Sequence, residues 1–207
     1  MQLRVKPRPL TVPAAPTIHG IPALTYARQQ EDRWCWAACV EMILKYYCLS
    51  QENQCKIATR GLKIKYPDRD FNCCPARGIT GACDTGCDHT LDNLEISSLW
   101  RDGYGIPVNP VFRPSLPSLE EDLRRLLDQE HPVELGYSGS LSGHLVILFG
   151  WHLDPERGET KFHLHDPGRG ESAIAVAEGL IDNGGALDAY WVIMKTETER
   201  RCGDGNQ

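Results

Sequence analysis

Cys35 carries the most chemical content in this chain. In Trp34-Cys35-Trp36-Ala37-Ala38-Cys39 it heads an apolar, helix-forming run (Val40, Met42, Ile43, Leu44, Tyr46, Tyr47) with neither Gly nor Pro before Ser50. A thiolate at such a helix start gains the positive end of the macrodipole, which favours the nucleophilic form. The spacing predicts a helix that ends near Cys48, with Asp32 as N-cap and Arg33 and Trp34 in its first turn. The competing reading is a small core residue, since free cysteine is among the most buried residue types. The thiol alone does not establish catalysis; it needs a base, and the base an orienting group.

Both are offered downstream, in one place. Gly143 is followed by His144-Leu145-Val146-Ile147-Leu148-Phe149-Gly150-Trp151, an apolar run of strand length. Lys161-Phe162-His163-Leu164-His165-Asp166 then reads as a second strand, closed by Pro167. Alternation puts Lys161, His163 and His165 on one face and Phe162, Leu164 and Asp166 on the other. Asp166 thus leaves its strand on the buried face, where a carboxylate is costly unless paired. If the two strands pair antiparallel, a His starting the first lies near an Asp ending the second. Each residue has an ordinary alternative: a hydrogen-bonded structural histidine, and a turn aspartate before proline.

Gln29, five intervening residues, Cys35-Trp36-Ala37 and the distal Gly143-His144-Leu145-Val146 strand together resemble the papain-like cysteine peptidases. The likeness is nearest the compact bacterial branches, the bacteriocin-leader-processing and effector-type peptidases, which share a helix beginning CWAA and an Asp-Pro after the second strand. By position the resemblance implies Cys35 as nucleophile, His144 as base, Asp166 as orienter and Gln29 as oxyanion donor, with Gln30 as the fallback. It implies a papain-like α+β fold, with the catalytic helix packed on an antiparallel sheet. The chain departs from plant papain in lacking the CGSCW-type lead-in, in using Asp rather than Asn, and in a Cys-to-His spacing below about 130–150 residues.

The mechanism implied is acyl transfer through a thioester. Hydrolysis of peptide bonds in a protein or peptide substrate is the first reading. Deamidation or transamidation uses the same triad, because water or an amine can resolve the acyl-enzyme. A non-catalytic peptide-binding domain would normally have lost the thiol or the base, and both are present. The effector branch further implies a secreted or delivered toxin, with an immunity or inhibitor protein as partner.

The elements that must position these residues fit one domain. The chain has 207 residues, 41% apolar and 24% charged, enough for a substantial core. A net charge of −6 gives no basic footprint for nucleic acid. No apolar run reaches the roughly 18 residues of a membrane span, and residues 1–20, with Pro7, Pro9, Pro13 and Pro16, lack the apolar segment of a secretory signal. The chain therefore reads as a soluble protein: a Pro-rich arm (1–20), a peptidase domain (21–196) and a polar tail (197–207).

Within the domain we expect a short strand at Ile21–Tyr26, a turn-rich insertion over Gly61–Thr90, and a helix at Ser118–Glu130 with a Ser118/Glu121 capping box and a Leu119, Leu123, Leu126, Leu127 face. Strands are expected at Pro132–Tyr137, Ala173–Val176 and Tyr190–Met194, beside those of His144 and Phe162. Nine cysteines are many for a reducing compartment, and without Cys35 their number is even. Cys55, Cys73, Cys74, Cys83 and Cys87 crowd about the insertion (roughly 55–90), where disulfides would compensate for a thin core. Free thiols or a zinc site with His89 are the alternatives, the latter without paired CxxC spacing. Cys39 reads as core, Cys48 as core or bridged. No cofactor is called for.

Overall fold

The computed structural model describes residues 16–74, 85–114, 116–138, 143–176, 179–180 and 186–194. Thirteen elements follow in order: β1 (His19–Gly20), α1 (Cys35–Tyr46), α2 (Gln54–Lys65), a 3-10 turn (Thr85–Cys87), α3 (Asn93–Ser98), a π-type turn (Leu99–Gly103), β2 (Val111–Phe112), α4 (Leu116–Asp128), β3 (Val133–Ser138), β4 (His144–Leu153), β5 (Thr160–Asp166), β6 (Glu171–Val176) and β7 (Ala186–Val192). The sheet runs β2-β7-β3-β4-β5-β6, antiparallel at every pairing, and β1 joins β4 beyond the end of β3. Helices preceding an antiparallel sheet make this the α+β, papain-like arrangement expected from the order of elements.

β4 is the axis of the fold, and all its residues from Leu145 to His152 are buried. Leu145, Ile147 and Phe149 face a core filled by α1 and α2 with Trp34, Trp100 and Trp191, whereas Val146 and Leu148 face α4 through Leu119, Leu123, Leu126 and Leu127. Covering on both faces explains why its sequence is a continuous apolar run rather than an alternating one. The same covering alters the expectation for β5. The face assignment holds, yet His163 and His165 are buried along with Asp166, and the segment of Leu24 and Tyr26 lies against His165. His165 donates to Leu24 O (3.1 Å) and stacks on Phe149, and His163 bonds His152 (2.8 Å). Burial holds both rings below the ordinary histidine range.

Several boundaries differ from expectation. α1 starts at Cys35 itself, with Trp34 rather than Asp32 at the N-cap and no side-chain cap. The lead-in strand is His19–Gly20, not Ile21–Tyr26, and Ile21 adds one further bond to Phe149 O (2.6 Å). α4 begins at Leu116, which puts Ser118 inside the first turn instead of at a capping box. Helix α2, capped by Asn53, occupies the start of the supposed insertion loop. The Pro-rich arm up to residue 15, the whole of the tail and Cys83 lie outside the described residues.

The disulfide expectation holds for four cysteines. Cys55–Cys74 and Cys73–Cys87 are bridged, which removes them as zinc thiolates; Cys48 is bridged too, and Cys35 and Cys39 are free. α2 itself fits tightly against α1 at Gly61, where a Cβ would sit 2.7 Å from Trp36 Cη2 and 2.8 Å from Cζ3. Trp36 is 2% exposed and cannot retreat. Gly61→Val should therefore lower stability by about 1–3 kcal/mol, the usual range for overpacking, despite removing a mid-helix glycine. A lower urea midpoint at unchanged m-value is the expected readout.

Candidate active site

The Cys35 thiol lies where α1 begins, 6% exposed. The Ala38 N–H is the first to find an intrahelical acceptor, Trp34 O at 3.0 Å, so the N–H groups of residues 35, 36 and 37 point out of the helix start. The flanks of the thiol are pinned to a segment some fifty residues downstream. Arg33 N donates to Asp88 Oδ1 (2.8 Å), Trp34 Nε1 to Cys87 O (2.9 Å) and Trp36 Nε1 to His89 O (3.0 Å).

His144 opens β4 and stands beside Asp166, which closes β5. The antiparallel register sets Ile147 opposite His165, so the two ends meet. His144 Nε2 lies 2.9 Å from Asp166 Oδ1, and His144 lines the same cleft as Cys35. With Nε2 committed to the carboxylate, Nδ1 is the nitrogen left for sulfur. Asp166 is 2% exposed and well satisfied: Gly168 N (2.9 Å) and Arg169 N (3.2 Å) donate to Oδ1, and the Arg169 guanidinium to Oδ2.

These contacts decide the electrostatics. Burial pulls the His144 pKa down, but hydrogen bonds to Asp166 and Cys35 and their charges outweigh it and push it up to about 9. Burial alone would raise Asp166; its bonds to His144, Gly168 and Arg169 hold it below the ordinary carboxylate value. The arrangement favours a protonated His144 imidazole beside the ionised Asp166 carboxylate at neutral pH.

Gln29 is drawn to the same place from the lead-in. Its N–H donates to Pro167 O (3.2 Å), and its Oε1 faces Gly168, where an added Cβ would lie 3.3 Å from that oxygen, 3.4 Å from Asp166 Oδ1 and 3.5 Å from His144 Cε1. Its Nε2 donates to Glu31 O (2.9 Å) and Asp32 O (2.7 Å), and Oε1 is buried with no hydrogen-bond partner. The reverse amide placement would set an oxygen against two carbonyls, so the donor assignment follows from the surroundings. Gln30 is exposed; its N–H donates to Gln54 Oε1 (2.9 Å).

A cleft of about 330 Å³ opens beside the thiol, walled by Thr90, Leu91, Asn93 and Ile96 on one side and by Gly136, Tyr137 and Gly143 on the other. The first wall was missed by sequence reasoning, which left that stretch as the end of a loop and the residues after it unassigned. A signal was present: Asp92 accepts from Leu94 N and Glu95 N while the Glu95 carboxylate accepts from Asp92 N, a capping box legible as Asp-x-x-Glu. Trp36 lines the cleft, whereas Trp100, Trp151 and Trp191 are core.

The description "Peptidase_C39 like family" matches residues 21–197. Among solved structures, a protein described as a C39-like peptidase from Bacillus anthracis superposes with a TM-score of 0.56 at 15% identity, over 87% of this chain and 100% of that one. UfSP from C. elegans gives a TM-score of 0.48 at 13% identity, over 94% of this chain and 36% of that one. A comparison with curated proteins found no match. No helix among the described residues is long and apolar enough to cross a membrane. The match over most of the length, on a papain-like fold, places this chain in the peptidase C39-like family of cysteine peptidases.

Proposed function

We propose that Cys35, His144 and Asp166 form the catalytic triad of this peptidase and that it cleaves polypeptide substrates through a thioester acyl-enzyme. The observation that carries this is the 2.9 Å contact of His144 with Asp166 at the cleft that Cys35 and His144 line together. Thiolate attack on the scissile carbonyl forms the C–S bond; His144 then gives its proton to the leaving amine, and water, deprotonated by His144, releases the acyl group. Asp166 holds the ring in the tautomer with hydrogen on Nε2. The enzyme acts as a secreted or delivered effector in this reading, in keeping with its disulfides.

Gln29 and the Cys35 N–H stabilise the oxyanion. In the free enzyme both Nε2 hydrogens of Gln29 are spent on Glu31 O and Asp32 O, so donation to the oxyanion requires the amide to release one carbonyl as substrate enters. Gln29→Ala should lower kcat by about 10²–10³ and leave KM little changed, the usual effect of losing an oxyanion donor; an unchanged kcat assigns the oxyanion elsewhere.

Incubation with an unstructured polypeptide tests the activity. New termini, detected by mass spectrometry, support the peptidase. Ammonia release or amine incorporation without chain cleavage would assign the same triad to deamidation or transamidation.

A further inference from the structure

Three hydrogen bonds bracket the nucleophile, from Arg33 N, Trp34 Nε1 and Trp36 Nε1, and all three end on the consecutive residues Asp88, Cys87 and His89. They hold positions on both sides of Cys35 at a helix start that lacks a side-chain cap of its own. The receiving segment is a short turn followed by coil, in which His89 N donates to Cys87 O (2.9 Å). Its downstream end is tied to α2 and its C-cap residue by Lys65 Nζ on Thr90 O (2.9 Å) and by the Tyr66 ring against His89. Its upstream end is tied by the Cys73–Cys87 bridge. Cys73 is fixed in turn to α2, its N–H on Thr59 Oγ1 (3.0 Å), and its neighbour Cys74 is bridged to Cys55 of the same helix.

We propose that Cys87-Asp88-His89 is the saddle that positions the nucleophile, and that the Cys73–Cys87 cystine closing it makes attack by Cys35 conditional on maturation in an oxidising environment. This rests on Cys35 being the nucleophile. Both bridge cysteines are buried, 0% and 1% exposed, so the bond forms as the chain folds and resists later reduction. In its formation the two thiols pass two electrons to a low-molecular-weight disulfide; the S–S bond forms, the oxidant's breaks, and the two protons leave on its thiols. A chain folding among reduced thiols has a slack saddle. Sulfur and imidazole then lose their alignment, and a misplacement of about 1 Å can cost on the order of 10²-fold. The enzyme is thereby idle in a reducing cytosol and competent outside it.

The test reads the thiol directly and needs no substrate, so it stands or falls apart from the peptidase reading. The second-order rate of Cys35 alkylation by iodoacetamide is followed by peptide mass mapping from pH 5 to 10, in the intact protein and in the Cys73→Ser/Cys87→Ser variant. A folded variant whose Cys35 reacts about tenfold or more slowly is the expected result; unchanged rates overturn the proposal. Should that variant fail to fold, Asp88 decides. Asp88→Ala removes the acceptor of Arg33 N and should slow alkylation about fivefold, the worth of one hydrogen bond, whereas Asp88→Asn keeps an acceptor and should restore it. Equal rates in all three proteins overturn the saddle.

Discussion

Replacing Cys35 with alanine is expected to abolish peptide cleavage, with a fall in kcat/KM on the order of 10⁶, as when one member of a triad acting as a unit is removed. The thiol is the only group at the head of α1 that can form the thioester, and neither the water left in its place nor His144 alone can supply it. Cys39, the other free cysteine among the described residues, offers no rescue. It is fully buried one turn into the helix, its thiol lies 3.5 Å from Leu145 O, and burial raises its pKa well above the ordinary thiol value. The fold should survive, since the change removes one atom, at a cost of about 1 kcal/mol or less. Circular dichroism and thermal unfolding would confirm this alongside the assay for new termini. A folded Cys35→Ala protein that still cleaves removes Cys35 from the mechanism.

Asp166→Ala should have the next largest effect, lowering kcat/KM by about 10⁴, as loss of the orienting carboxylate does in other triads. It strips His144 of its 2.9 Å partner and leaves the Gly168 N–H without its side-chain acceptor, whereas the Arg169 N–H keeps the backbone carbonyl of residue 166. The pH profile tells this apart from simple destabilisation. In the native enzyme the alkaline limb should fall near pH 9, where His144 loses its proton; without the carboxylate the limb should move toward 6.5, the ordinary histidine value. Asp166→Asn keeps an acceptor for Nε2 and should recover part of kcat, but with the alkaline limb still displaced because the charge is gone. An alkaline limb unmoved in both variants would show that Asp166 does not set the state of His144.

The same pair predicts how stability follows pH. His144 is raised in the folded state, so its contribution is complete below 6.5 and is lost as pH rises through about 9. Asp166 is lowered, so its contribution is complete above 3.8 and is lost as pH falls through its folded value. The pair therefore stabilises the fold most fully between these two ordinary values, and the alkaline loss begins only on the approach to pH 9.

The helix of the nucleophile and the strands of His144 and Asp166 were legible because each is announced by residues next to one another. An apolar run without Gly or Pro marks α1, a continuous apolar stretch after Gly143 marks β4, and alternation closed by Pro167 marks β5. Helix α2 escaped notice because Gly61 interrupts it, and that glycine answers to the ring of Trp36 across the helix pair rather than to its own neighbours. β1 and β2, two residues each, are too short to show any period. The burial of His165 also could not be read locally, because what covers it is the segment containing Leu24, some 140 residues away in the chain.

The order of chemistry along the chain is thus a property of the sequence: a thiol ahead of a helix, then an imidazole opening a strand and a carboxylate closing the next, since helix and strand periods are set by nearest neighbours and fix which side chains share a face. The convergence of these groups is tertiary. The 2.9 Å contact of His144 with Asp166, the bond from Gln29 N–H to Pro167 O, the pairing of Cys73 with Cys87, and the bonds from residues 33, 34 and 36 to residues 87–89 all join segments whose meeting depends on how sheet and helices pack. Side-chain hydrogen bonds and disulfides act over a few ångströms and carry no periodic signature, so only the folded chain selects their partners.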